Sequence, residues 1–212
     1  MNGETHLIGG WAAAMLVDRW LTSVAARGEV VYVFGVPVSQ GLIAAAVVGL
    51  GALLPDIDEP NSTISNLPNR SKRYVPFRSR DAVSSALRAV VQSVADFFNL
   101  LIQFLSTVIR VMAGGHRAAT HWLITGGVLT LLAWLLGESI RQPRLWLWFG
   151  IGYASHLVLD MMTVRGLKVL RPLTKRTFYL LPKPLRVKTG SFIEHGLRAW
   201  LIVLIVWFLF AL

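Results

Sequence analysis

The chain holds five histidines, eleven acidic residues and no cysteine. Any metal it binds must therefore be held by His, Asp, Glu, backbone or water, and neither a disulfide framework nor a thiolate site is open to it. His156 and Asp160 lie four residues apart in an otherwise apolar run. On a helix that spacing puts both on one face. Either both ligate one cation, or Asp160 orients the imidazole from behind; a buried His–Asp hydrogen-bonded pair is the structural alternative. Leu53-Leu54-Pro55-Asp56-Ile57-Asp58 closes another apolar run. Pro55 stops the helix, and Asp-X-Asp in a turn can set both carboxylates on one hard cation. The competing reading is a solvated helix end, although the macrodipole disfavours acids at a helix C-terminus.

His116 and His121 are five residues apart. Sharing a metal requires a helix that begins between them or a first histidine that swings back, and Gly114-Gly115 supplies the backbone freedom. The bland alternative is an interfacial His pair near lipid headgroups. Thr5-His6 opens the first apolar run, with Thr5 a candidate N-cap. Glu194-His195 precedes the last one. Glu194 suits a ligand, a general base or a first-turn dipole partner, and His195 is the weakest candidate of the five histidines.

The elements that must position these residues are membrane spans. The 212-residue chain is 54% apolar and only 15% charged, where a soluble domain carries roughly 25% charged residues. Its mean hydropathy is +0.57. One domain covering residues 1–212 is expected at this length. A bilayer needs about 20 mostly apolar residues as helix. Val38 to Leu54, Trp122 to Gly137, Leu145 to about Met161 and Leu197 to Leu212 come close. Trp146 and Trp148 flank the third as interfacial aromatics often do. Leu7 to about Ala26 is a fifth, interrupted by Asp18 and Arg19, which should face protein or an interface. Ala86 to Met112 carries an apolar stripe with Arg88, Gln92, Asp96, Asn99, Gln103 and Arg110 opposite, the pattern of an in-plane or protein-packed helix. The fold expected is an all-α, multi-pass transmembrane bundle of about five spans plus one in-plane amphipathic helix. The N-terminus lacks a basic n-region, so no cleaved signal peptide is expected.

The net charge is +10, and the basic residues gather in two stretches. Ile57 to Gly115, with its loop at about 57–85, carries seven Lys and Arg, and Met162 to Gly196, with its loop at 162–195, carries eight. The opposite loops hold Arg27, Arg141 and Arg144. Both rich loops are expected in the cytoplasm. Five spans place both on one side, whereas six would separate them. That charge reads first as the positive-inside rule, second as attraction to anionic lipid, and only third as nucleic-acid binding. On this topology the histidines, Asp56, Asp58, Asp160 and Glu194 all lie near the basic face. Polar groups at membrane depth are costly and tend to be functional.

Thr5-His6-Leu7-Ile8-Gly9, the Gly51 to Ser62 stretch, His116-Arg117-Ala118-Ala119-Thr120-His121 and Gly152 to Asp160 occur in order, followed by Thr163 with Gly166, Arg171-Pro172, and Gly190-Ser191 with Glu194. This combination, spread over nearly the whole chain, resembles the membrane-bound metal-dependent hydrolases of bacteria and archaea, which include LexA-regulated inner-membrane members and are distantly similar to zinc-dependent phospholipase C enzymes. The resemblance implies the prokaryotic inner membrane, a metal-dependent hydrolase and phosphoester substrates. By motif it implies His6, Asp56, His116, His121, His156 and Asp160 as ligands.

Mixed His and carboxylate ligation suits Zn²⁺ best, with Mn²⁺ or Fe²⁺ as alternatives. Six ligand candidates exceed a mononuclear zinc site's three protein ligands, so more than one ion is open. The expected mechanism is metal-activated water attacking a phosphoester, lipid phosphates included. Asp58 or Glu194 would take the proton, and a second metal or Arg117 would offset phosphoryl charge. Membrane lipids are the expected partners, with anionic lipid drawn to the basic loops. The alternative is a non-enzymatic scaffold or a metal-ion transporter, though a transporter should hold its ionisable residues near the bilayer midplane.

Overall fold

Proline, glycine and the apolar runs set the ends of the elements. The computed structural model describes residues 1–17, 30–33, 36–59, 62–64, 107 and 119–210. Among them are five α-helices: α1 (Gly3–Val17), α2 (Gln40–Leu53), α3 (Leu123–Ser139), α4 (Leu145–Met161) and α5 (Phe192–Phe210). A short antiparallel pair, β1 (Val30–Val33) and β2 (Val36–Ser39), precedes α2 in the register Val30↔Ser39 and Val33↔Val36. The β-branched run Val30, Val31, Val33, Val36 and Val38 favours that conformation, so the apolar stretch expected to span from Val38 becomes helical only at Gln40. A 3₁₀ turn over Leu54–Asp58 follows α2, because Pro55 has no N–H to continue the α-helical ladder.

The chain divides into two compact units, residues 1–55 with 119–212, and residues 56–118. In the second, Glu59 N–H donates to the Asp56 carbonyl at 3.0 Å and Ser62 N–H to the Glu59 carbonyl at 3.0 Å, while Asp58 and Ile64 are buried. The expected in-plane helix over Ala86 to Met112 lies outside the described residues apart from Thr107, as do Asp18 and Arg19.

In the first unit α4 is central, packed on α1, α2 and α3. It meets α2 at glycine. A Cβ on Gly152 would strike the Val48 carbonyl oxygen, and one on Gly51 would strike the Phe149 carbonyl oxygen. Backbones approach this closely only where side chains are absent, the usual device for packing helices in lipid. Trp148 fills the core beside Ala14, Ala44 and Val48. It is fully buried, not interfacial as its place near the end of an apolar run implied; Trp146 is the exposed one.

The outer helices behave oppositely. Leu131, Leu132 and Trp134 of α3, and Val203, Val206 and Trp207 of α5, are exposed. So large an apolar surface on a helix with satisfied backbone suits hydrocarbon as solvent. α5 and the Gln40–Asp58 stretch are long and apolar enough to cross a membrane. The 17-residue α3 and α4 reach about 26 Å at 1.5 Å per residue, short of a roughly 30 Å hydrocarbon layer, which implies tilt or local thinning.

Four contacts gather helix ends at one end of this unit. The Ala52 carbonyl of α2 meets His156 of α4. Tyr153 of α4 reaches the turn that leads into α3. Glu194 of α5 accepts from Thr5 of α1, and the Met1 amino group donates to Asp160 of α4 at 2.9 Å.

Candidate metal centre

His156 and Asp160 sit in the last turn and a half of α4, on its buried face. His156 Nδ1 lies 2.7 Å from the Ala52 carbonyl oxygen. A carbonyl only accepts, so Nδ1 carries a proton and Nε2 faces inward. There it meets His121 Nε2 at 3.3 Å. His121 ends the Ala119–His121 3₁₀ turn. The turn is fastened from both sides: Tyr153 Oη donates to the Thr120 carbonyl at 2.6 Å and approaches the Trp122 carbonyl at 3.1 Å, and Thr125 Oγ1 donates to the Ala119 carbonyl at 2.6 Å. Thr120 Oγ1 lies 3.0 Å from His121 Nδ1.

Asp160 faces the same point. Its Oδ2 is 3.8 Å from His121 Nε2 and 4.0 Å from His156 Nε2, and its Oδ1 is 3.3 Å from His6 Nε2. The His6 ring stacks on that of His156, centroids 3.8 Å apart and planes inclined by 14°. All four side chains are at most 1% exposed.

The donor set fits a divalent cation. Atoms of His121, His156 and Asp160 lie close enough together to share one ion. Two nitrogens bound tetrahedrally to Zn²⁺ at 2.0–2.1 Å stand about 3.3–3.4 Å apart, and the two Nε2 atoms are separated by 3.3 Å. His6 Nδ1 is buried with no hydrogen-bond partner among the described residues. A buried unsatisfied polar atom costs roughly 1–3 kcal/mol, and a cation is one of its standard explanations. The Nδ1–H to carbonyl bond of His156 is the outer contact that fixes a ligating imidazole.

A family model described as "YdjM inner membrane protein" matches residues 1–212. The chain belongs to the YdjM inner membrane protein family. This YdjM-family chain is thus an inner-membrane protein, in keeping with its apolar helices. It is also 30% identical over 201 residues to "Uncharacterized protein YvsG" of Bacillus subtilis (strain 168), covering 95% of this chain and 89% of that one. No solved structure matches it.

Of the sequence-expected site residues, His6, His121, His156 and Asp160 come together. Asp56 and Asp58 fall in the turn after α2, Asp58 fully buried. His116 and Arg117 lie outside the described residues. His195 is exposed, with its Nδ1 2.8 Å from an Arg198 nitrogen, and Arg198 pairs with Glu4; it does not join the other histidines. Glu194 is buried but its carboxylate is already engaged. Oε1 accepts from Asn2 N–H at 2.6 Å and from Thr5 Oγ1 at 2.9 Å, and Oε2 from Gly190 N–H at 2.6 Å. Gly190 takes a positive φ of 78° to aim that N–H. Thr5 therefore serves as a side-chain donor to Glu194, not as the N-cap expected for it. The sequence reading missed Tyr153 and the Ala52 carbonyl. Tyr153 left a signal, being a polar residue three before His156 and so on the same helix face.

Proposed function

We propose that this YdjM-family protein is a membrane-embedded metal-dependent hydrolase of phosphoesters, working at the cytoplasmic face, with a divalent cation held by His6, His121, His156 and Asp160. The observation that carries the reading is the buried pair of imidazole Nε2 atoms 3.3 Å apart, with an aspartate facing both. Imidazole with carboxylate favours Zn²⁺ over Mn²⁺ or Fe²⁺. When bound, such an ion lowers the pKa of its water to about 7 and polarises a phosphoryl oxygen.

The chain's own residues supply the rest. The Ala52 carbonyl fixes the His156 tautomer. Tyr153 and Thr125 hold the turn that aims His121. Glu194 ties the start of α1 to the start of α5, and so sets His6 through its neighbour Thr5; three accepted hydrogen bonds suit it to positioning more than to proton transfer. Burial keeps bulk water from competing for these groups. Further roles for Asp56 and His116 as ligands, Asp58 as proton acceptor and Arg117 as a counter to phosphoryl charge rest on the sequence motif. The basic loops support a cytoplasmic orientation. The cluster's place at helix ends, away from the bilayer midplane, favours a hydrolase over a transporter.

The test is elemental analysis of detergent-purified protein after zinc loading and removal of free ion, alongside hydrolysis of phosphomonoester and phosphodiester substrates. The wild type should retain at least one ion per chain and hydrolyse one of these classes. His156→Ala and Asp160→Asn, checked for helicity and monodispersity, should retain neither property. A metal-free wild type, or equal metal in all three proteins, would reduce the cluster to a hydrogen-bonded His–Asp network. Retained metal without hydrolysis would remove the enzyme reading and leave the metal centre.

A further inference from the structure

The segment from Met162 to Ser191 contains eight Lys and Arg and no acidic residue. It is firmly folded. Leu167 and Phe178 exchange backbone hydrogen bonds at 3.1 and 2.8 Å, Leu180 N–H donates to the Met161 carbonyl at 2.9 Å, and Val187 N–H to the Met162 carbonyl at 3.0 Å. Leu167 and Val187 are buried. Yet Leu173, Leu180 and Leu185 are exposed by 80%, 55% and 63%. In a segment pinned this way, exposed leucines are part of the built shape, not the result of fraying.

The cations interleave with them. Lys168, Lys175, Arg176, Lys183 and Lys188 are exposed, and none forms an ion pair among the described residues. Arg176 lies 5.8 Å over the Phe178 ring while remaining exposed; Arg186 is held more closely, its guanidinium 3.5 Å over the Tyr179 ring and its Nε donating to the Leu181 carbonyl at 3.1 Å, so it braces the fold. A surface that is at once apolar and uniformly cationic, set where helices leave the hydrocarbon, matches a partner that is apolar and anionic in adjacent layers. Nucleic acid satisfies the charge and leaves the leucines in water. A bilayer's headgroup region satisfies both.

We infer that the Met162–Ser191 segment is an interfacial docking surface for anionic phospholipid of the protein's own membrane, with Leu173, Leu180 and Leu185 entering the acyl boundary and the exposed lysines and Arg176 pairing with headgroup phosphates. This does not rest on the metal reading, and a metal-free His156→Ala protein should dock equally.

The chain has no native cysteine, so Leu185→Cys and, separately, Leu173→Cys can each carry one environment-sensitive fluorophore. Each full-length protein is reconstituted into phosphatidylcholine vesicles with or without phosphatidylglycerol. The expected result is a blue-shifted emission, strong quenching by bromine-labelled acyl chains and several-fold weaker quenching by aqueous iodide, all with phosphatidylglycerol only. The difference should shrink in high salt and in a Lys183→Glu, Lys188→Glu double variant. A label that stays open to iodide in both membranes overturns the proposal. So does one equally buried in both, or one protected only when an oligonucleotide is added.

Discussion

Helices α4 and α5 read alike in sequence, as apolar runs long enough to approach the bilayer thickness, and the structure gives them opposite surroundings. Only Glu194 and Leu201 of α5 are buried, whereas α4 buries a broad face, from Trp148 and Phe149 to His156 and Asp160, and leaves Ala154 and Val158 exposed on the other. The difference lies in the small and polar positions. Gly152 lets α2 approach backbone to backbone, and Ser155 returns its hydroxyl to the Gly152 carbonyl at 2.7 Å. α5 carries Trp200, Trp207 and Phe210 outward. Where lipid is the solvent, apolarity no longer distinguishes inside from outside. Close approach and polar pairing do.

That contrast can be broken at several points. The largest expected effect is at the candidate ligands of α4. Zinc at a thousand times its Kd should stabilise the wild type by about 4.1 kcal/mol, read as a rise in Tm in detergent, while His156→Ala and Asp160→Asn show no rise. Equal rises would mean that zinc acts elsewhere. Next is Gly152→Leu, which forces α2 and α4 apart. Overpacking of this kind costs about 1–3 kcal/mol, and thermal unfolding should show at least that loss together with weakened zinc binding; an unchanged Tm would refute the backbone contact. Glu194→Gln probes the one polar residue that α5 buries. Hydrogen bonds to a charged group contribute roughly 1.5–3 kcal/mol, and loss of an outer contact weakens metal binding about 10–100-fold. A zinc titration that matches the wild type would make Glu194 a helix-dipole partner only. Tyr153→Phe removes the donor to the Thr120 carbonyl and should cost about 0.5–1.5 kcal/mol in a thermal melt, with His121 less well held. Smallest is Val203→Ala on the exposed face of α5, expected within about 0.5 kcal/mol; a larger loss there would show that α5 is covered by protein and not by lipid.

Much of this was legible in the chain. The bounds of α4 agree with its apolar run, because nothing competes with helix between Arg144 and Met162. The pairing of His156 with Asp160 followed from helical spacing alone. His6 and His121 joined them because polar residues in an apolar chain have few places to go. What was not legible depends on partners distant in sequence. Trp148 looks interfacial until Ala14, Ala44 and Val48 close around it. The β1–β2 pair was hidden because its valines are as apolar as a span. Glu194 read as ligand, base or dipole partner because its three hydrogen-bond donors come from Asn2, Thr5 and Gly190, and nothing in the local pattern reveals the first two. His195 read as the weakest of the histidines, and the structure leaves it exposed beside Arg198.

The link between Thr5 and Glu194, 189 residues apart, has a consequence for biogenesis. A ribosome delivers the first of these groups early and the second only when almost every other segment has been inserted. Until α5 is threaded into the bilayer, the start of α1 lacks its tie to Glu194 and is held only by its packing on α4 and the contact of Met1 with Asp160. The last of the cluster's supports is therefore added late, and a chain stalled before α5 should be inserted with His6 less firmly held.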